Sequence, residues 1–163
     1  MITGGASRPP GRKASARLAA LGLELPPVPT PVGGYVTAIE HEGLIRTTGQ
    51  LAFVDGSILI EGLLGDGVDV QTGIAAAQAA ALNAIAAAAE AAGGIDRLGQ
   101  ILELTGHLAC VPAFREHSRV LDGASDLIRE VFGPEGAHVR TNVGTSALPL
   151  GSPVEIRLLA TVR

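Results

Sequence analysis

Apolar positions alternate with polar ones in some stretches of the chain and recur at helical spacing in others. Tyr35–Glu40 and Leu44–Gln50 read as strands joined by the turn His41–Gly43. Ser57–Glu61 reads as a third short strand after the Asp55-Gly56 turn signal. Val70 to Ala92 is alanine-rich, which favours helix strongly. Asp66 and Asp69 offer N-caps for it, and Gly93-Gly94 a stop. Ile101–Val111 is a strand of mixed pattern. His117–Phe132 follows as a second helix, with Val120, Ala124, Leu127, Ile128 and Val131 on one face and Gly133-Pro134 at its end. Val139–Ala147 and Val154–Val162 are the last two strands, joined through Leu148-Pro149-Leu150-Gly151.

Upstream, Lys13–Leu23 carries Leu18 and Leu21 at helical spacing, which predicts a short helix. Pro26, Pro27, Pro29 and Pro31 then force an extended connector. Residues 1–15, rich in Gly, Pro, Ser and basic side chains, read as a flexible arm. The organisation is therefore an N-terminal arm with a short helix and a Pro-rich connector over 1–31, and one domain over 32–163. The order β-β-β-α-β-α-β-β predicts an α+β fold, a single mixed sheet with two helices on one face. With so few aromatics the chain has little left to cover the other face, so self-association is expected there.

Composition narrows the function. The 163 residues are 47% hydrophobic and 17% charged, enough apolar matter for one packed core. Lys and Arg number 12 against 16 Asp and Glu, a net charge of −4, which argues against a nucleic-acid binder. Three Phe, one Tyr and no Trp leave little to stack on exposed bases. A single cysteine forms no internal disulfide and fits a reduced, cytoplasmic setting. The N-terminus shows no secretory signal. Ile74–Ala92 is mostly alanine and carries Gln78, Asn83 and Glu90, so no membrane span is expected.

The common catalytic signatures are missing. His41, His107, His117 and His138 show no metal-ligand pairing, and there is no nucleophile elbow or Walker loop. Gly62, Gly65 and Gly67 lack dinucleotide spacing and read as a turn. Cys110 reads as a small buried hydrophobe. Three segments say more: Gly33-Gly34-Tyr35-Val36, Thr47-Thr48-Gly49-Gln50-Leu51, and His138-Val139-Arg140-Thr141-Asn142-Val143-Gly144 with Ala147-Leu148-Pro149 and Val154-Glu155-Ile156. In these the chain resembles the RidA/YjgF family of reactive intermediate deaminases, also labelled endoribonuclease L-PSP, from about Val32 to Val162. It looks closest to a longer branch, with Arg17-Leu18-Ala19-Ala20-Leu21-Gly22 as lead-in and Gly123-Ala124-Ser125-Asp126 in the second helix.

The resemblance implies a chorismate-mutase-like fold in a homotrimer, sheets inward as a barrel, with ligand clefts between subunits. It implies that Arg140 pairs with the carboxylate of a 2-imino or 2-enamino acid. Glu155 positions or activates the attacking water, Tyr35 closes the cleft, and the backbone around Thr48 and Gly49 lines it. Asp122 and Asn142 belong to the same pocket. Arginine suits the role because its planar fork binds a carboxylate bidentately. A protonated imine hydrolyses readily once water is positioned, giving a 2-oxo acid and ammonia without metal or organic cofactor.

Two positions depart from the family pattern. Asn142 stands where many deaminases have cysteine, and Asp122 where an asparagine is common. A carboxylate at 122 would either repel an anionic substrate or pair with Arg140. The residues alone also allow plainer readings: a surface ion pair for Arg140, a solvated strand residue or a partner of Arg157 for Glu155, an interface tyrosine for Tyr35. Rival functions are a non-catalytic carboxylate-binding member, an endoribonuclease or translation inhibitor, and a purely structural trimer.

Overall fold

In the computed structural model, residues 13–163 are described. Most of the expected flexible arm, residues 1–12, lies outside them. The described chain forms α1 (Ala14–Ala20), β1 (Ala38–His41), β2 (Leu44–Thr47), β3 (Gln50–Leu51), β4 (Phe53–Val54) and β5 (Ser57–Ile58). It continues through β6 (Leu63–Leu64), β7 (Gly67–Val68), α2 (Val70–Ala92), β8 (Leu98–Ala109), α3 (His117–Phe132), β9 (Val139–Thr145) and β10 (Val154–Val162). The main sheet runs β1-β2-β10-β8-β9, with β3 also paired to β10. It is mixed: β8 and β9 are parallel and the other pairs antiparallel.

The two long helices begin and end where their caps dictate. The Asp69 side chain accepts from the Thr72 amide at 2.7 Å, and Gly93 takes the left-handed C-terminal position with φ 79°. Both helices lie on one sheet face. Val154, Ile156, Leu158 and Ala160 of β10, with Leu104 and Leu108 of β8, are buried beneath them. Alanine keeps α2 slim, and α3 closes on it at Gly123, where a Cβ would stand 2.5 Å from the Ile74 carbonyl oxygen. Asn83 turns the polar edge of α2 to use, donating to the Leu51 and Phe53 carbonyls at 3.0 and 2.9 Å.

Three expectations are corrected. Ser57–Glu61 is not a strand of the main sheet. Ser57 and Ile58 pair with Phe53 and Val54 in a separate hairpin. Asp55 and Gly56 both have positive φ, 51° and 79°, as a type I′ turn requires, and the local partner wins. Next, β1 begins at Ala38, leaving Tyr35 before it. Lastly, β2 ends at Thr47 rather than Gln50. The β10 register advances by one residue between the Arg46 and Gln50 pairings, a bulge at Thr47–Gly49.

A third, short helix precedes the two long ones. α1 is the short helix expected around Leu18, whose side chain is buried in the core. Ser15 fixes it through its amide and hydroxyl, at 2.9 and 2.7 Å from the Asp96 carboxylate.

Candidate functional site

The candidate residues fall into two groups. The first is built on the bulge between β2 and β3. The Thr48 amide and hydroxyl bind the Thr37 and Val36 carbonyls at 2.8 and 2.6 Å, tying the bulge to the segment that carries Tyr35. The Tyr35 ring lies over Gly33 and is half exposed. Beside Thr48, Gly49 has no side chain because the Glu155 carboxylate occupies that space; a Cβ at 49 would collide with it. Across the strand pair, His107 stands opposite Glu155, with Nδ1 at 4.0 Å from Oε1. That Nδ1 is buried and has no hydrogen-bond partner among the described residues.

The second group is built where α3 passes β9. Arg140 Nη1 donates to Asp122 Oδ1 at 2.7 Å and to Ser125 Oγ at 3.1 Å, and Nη2 donates to the Ser118 carbonyl at 3.3 Å. Its Nε–H and second Nη2–H are left over among the described residues, and together they form one edge of the guanidinium fork. Ser125 Oγ lies 3.0 Å from His138 Nε2, and His138 Nδ1 lies 2.6 Å from the Gly136 carbonyl. A carbonyl only accepts, so Nδ1 carries the proton, and the Ser125 hydroxyl, which accepts from Arg140, donates to Nε2. This relay fixes the guanidinium from behind. Asn142 donates from Nδ2 to Ser118 Oγ at 2.9 Å, while its buried Oδ1 has no partner among the described residues. Asp122, Ser125, Asp126, Arg129, His138 and Arg140 line an open cleft of about 430 Å³.

The two groups do not meet in one chain. Arg140 pairs in register with Leu104, whose side chain points under the helices, and Glu155 pairs with His107. Glu155 alternates with the buried Val154 and Ile156, so it projects from the opposite, open face. Strand β8 separates them. Tyr35, Thr48, Gly49 and Glu155 therefore form one cluster, and Asp122, Arg140 and Asn142 another. Of the two outcomes foreseen for Asp122, the pairing with Arg140 is the one found.

Ser118, Ser125, His138 and His107 are given no site role by the sequence reading. A signal existed for the first three. Ser118, Asp122 and Ser125 recur at helical spacing on one face of α3, and His138 precedes Arg140 by one strand period. His107 gave none, because its place beside Glu155 depends on the register of two distant strands.

Comparison with known proteins agrees with this architecture. Residues 15–162 match the sequence model of the family described as "YjgF/chorismate mutase-like, putative endoribonuclease". The chain is 37% identical over 148 residues to Protein TCP17 of Trypanosoma cruzi, covering 90% of this chain and 92% of that one. A solved "putative endoribonuclease" from Shewanella oneidensis shares 38% identity, with a TM-score of 0.89 over 93% of this chain and all of that one. Atu1372 of Agrobacterium tumefaciens, a protein of unknown function, shares 34% with a TM-score of 0.84, covering 92% and 93%. The chain belongs to the YjgF/chorismate mutase-like family, and its fold is the α+β fold of that family.

Proposed function

We propose that this protein hydrolyses reactive 2-imino and 2-enamino acids to 2-oxo acids and ammonia, in clefts that form between copies of the chain in a homotrimer. The observation that carries the reading is Arg140: a guanidinium that lines a cleft and is fixed by Ser118, Ser125 and Asp122, with two of its donors left over among the described residues. Those donors suit a carboxylate. Glu155, held over Gly49, supplies the base. It draws a proton from a water attacking C2 of the iminium; the carbinolamine then expels its nitrogen, protonated, as ammonium. The balance is iminium acid plus water to 2-oxo acid plus ammonium. Tyr35 and Thr48 shape the wall on the Glu155 side. The two clusters face opposite ways, which supports a cleft that draws one from each of two copies. Ile39, Leu44, Val139 and Val143, apolar and exposed on the open sheet face, favour such packing.

The test is direct. An amino-acid oxidase generates 2-imino acids, and semicarbazide traps what escapes hydrolysis. The wild type should outcompete the trap. Arg140→Ala should lose roughly 10²-fold or more in rate while remaining folded. No acceleration by a well-assembled wild type across several imino acids would refute the reading.

A further inference from the structure

We propose that His107 is a positioning residue for Glu155: its Nδ1–H holds one oxygen of the Glu155 carboxylate and leaves the other to take the proton of the attacking water. This role rests on the hydrolase reading and deepens it. A general base works well only when its carboxylate is held in line with the water. Gly49 gives the Glu155 carboxylate room but no hydrogen bond. Among the described residues no hydrogen bond anchors that carboxylate at all, and the polar group facing it is His107, with Nδ1 4.0 Å from Oε1.

His107 has the complementary need. Its Nδ1 is buried and unpartnered among the described residues, although the side chain as a whole is 32% exposed. Water does not reach that atom, so a protein acceptor has to satisfy it. The register of the sheet offers one. His107 stands between Val143 of β9 and Glu155 of β10, and Val143 is apolar. One strand period earlier on β8, the Thr105 hydroxyl already donates to Glu103 at 3.1 Å. On the far side of Glu155 stands Leu51 of β3, also apolar. An acceptor without a donor thus faces a donor without an acceptor. The gap is about 1 Å longer than a charge-assisted N–H···O bond. A small side-chain rotation in either residue closes it. A neutral imidazole has one N–H, and carried on Nδ1 it makes this bond and leaves Nε2 outside the pair.

Imine hydrolysis in competition with semicarbazide, run on the full chain, compares the wild type with His107→Phe and His107→Asn. Phenylalanine keeps a ring and removes the donor; asparagine puts an amide N–H where Nδ1 stands. His107→Phe should lose roughly tenfold or more in kcat with KM little changed, and His107→Asn should recover to within about threefold of wild type. In a Glu155→Gln background, His107→Phe should cost almost nothing further. Melting curves show that each variant is folded. Nitrogen NMR of the wild-type imidazoles, with His107 assigned by the signal missing from His107→Asn, should show a proton on Nδ1, a readout that needs no turnover. Full kcat in His107→Phe, equal loss in both variants, or a bare Nδ1 overturns the role of His107 and leaves the hydrolase reading standing. An inactive wild type overturns that reading and this role together.

Discussion

Gly49 shows how a single missing side chain can hold a functional group. Its φ is unexceptional; the requirement for glycine comes from the Glu155 carboxylate lying where a Cβ would be. Alanine there would push Glu155 off the bulge without touching the core. We expect Gly49→Ala to lower imine hydrolysis by roughly 10²-fold, because a displaced base costs orientation more than stability. Melting of the variant should stay close to that of the wild type. Steady-state hydrolysis beside a thermal scan checks both halves of the statement. Full activity would mean that Glu155 does not act from this position. Arg140 is the opposite case, a side chain fixed by many partners rather than by one absence. Three of its five donors are committed to Asp122, Ser125 and Ser118, which orients the remaining edge before any ligand arrives.

At the scale of elements, α1 is the piece whose attachment responds to pH. The Ser15 amide, then the Ser15 hydroxyl, hold the Asp96 carboxyl below its ordinary value; burial opposes them, and Lys13 and Arg163 assist. A carboxyl depressed in the folded state contributes stability above its unfolded value near 3.9, and that contribution is lost as pH falls through the folded value. Below about pH 4, α1 should therefore loosen before the domain unfolds. Hydrogen exchange of the Ala14–Ala20 amides, corrected for intrinsic rate, should accelerate there. In Asp96→Asn it should be fast at every pH. An α1 equally protected in both proteins would show that Leu18 alone anchors it. What could be read from the chain follows the range of the interactions. The bounds of α2 and α3 were legible because caps and periodicity are local: Asp69, Gly93 and the 3.6-residue recurrence of apolar side chains in α3. β3 was not, because alternation runs on through Thr48 and Gly49 while the bulge answers to β10, a hundred residues away. The 57–61 strand failed for the complementary reason. The Asp55-Gly56 turn is a local signal, but its partner strand Phe53–Val54 is too short to show alternation. Within the site, the Arg140–Asp122 pair was one of the two outcomes that the family resemblance left open at position 122. The separation of Arg140 from Glu155 was not legible, since it needs the register of β9 on β8 and of β8 on β10.

That separation governs the whole molecule. If Arg140 of one copy works with Glu155 of another, Arg140→Ala and Glu155→Gln damage different halves of each cleft. Two inactive proteins should then rescue each other. When the variants are unfolded together in equal amounts and refolded, each cleft draws its arginine half and its glutamate half from independent copies. About a quarter of the clefts should receive both intact halves whatever the number of copies in the closed ring. Imine hydrolysis should return to about that fraction of wild type in the mixture and stay absent from either variant refolded alone. Sizing the mixture beside the wild type confirms that the same assembly has formed. A cleft built within one chain predicts no recovery, because every chain in the mixture carries one lesion. The experiment thus distinguishes an assembly that completes the chemistry from one that merely covers the exposed Ile39, Leu44, Val139 and Val143.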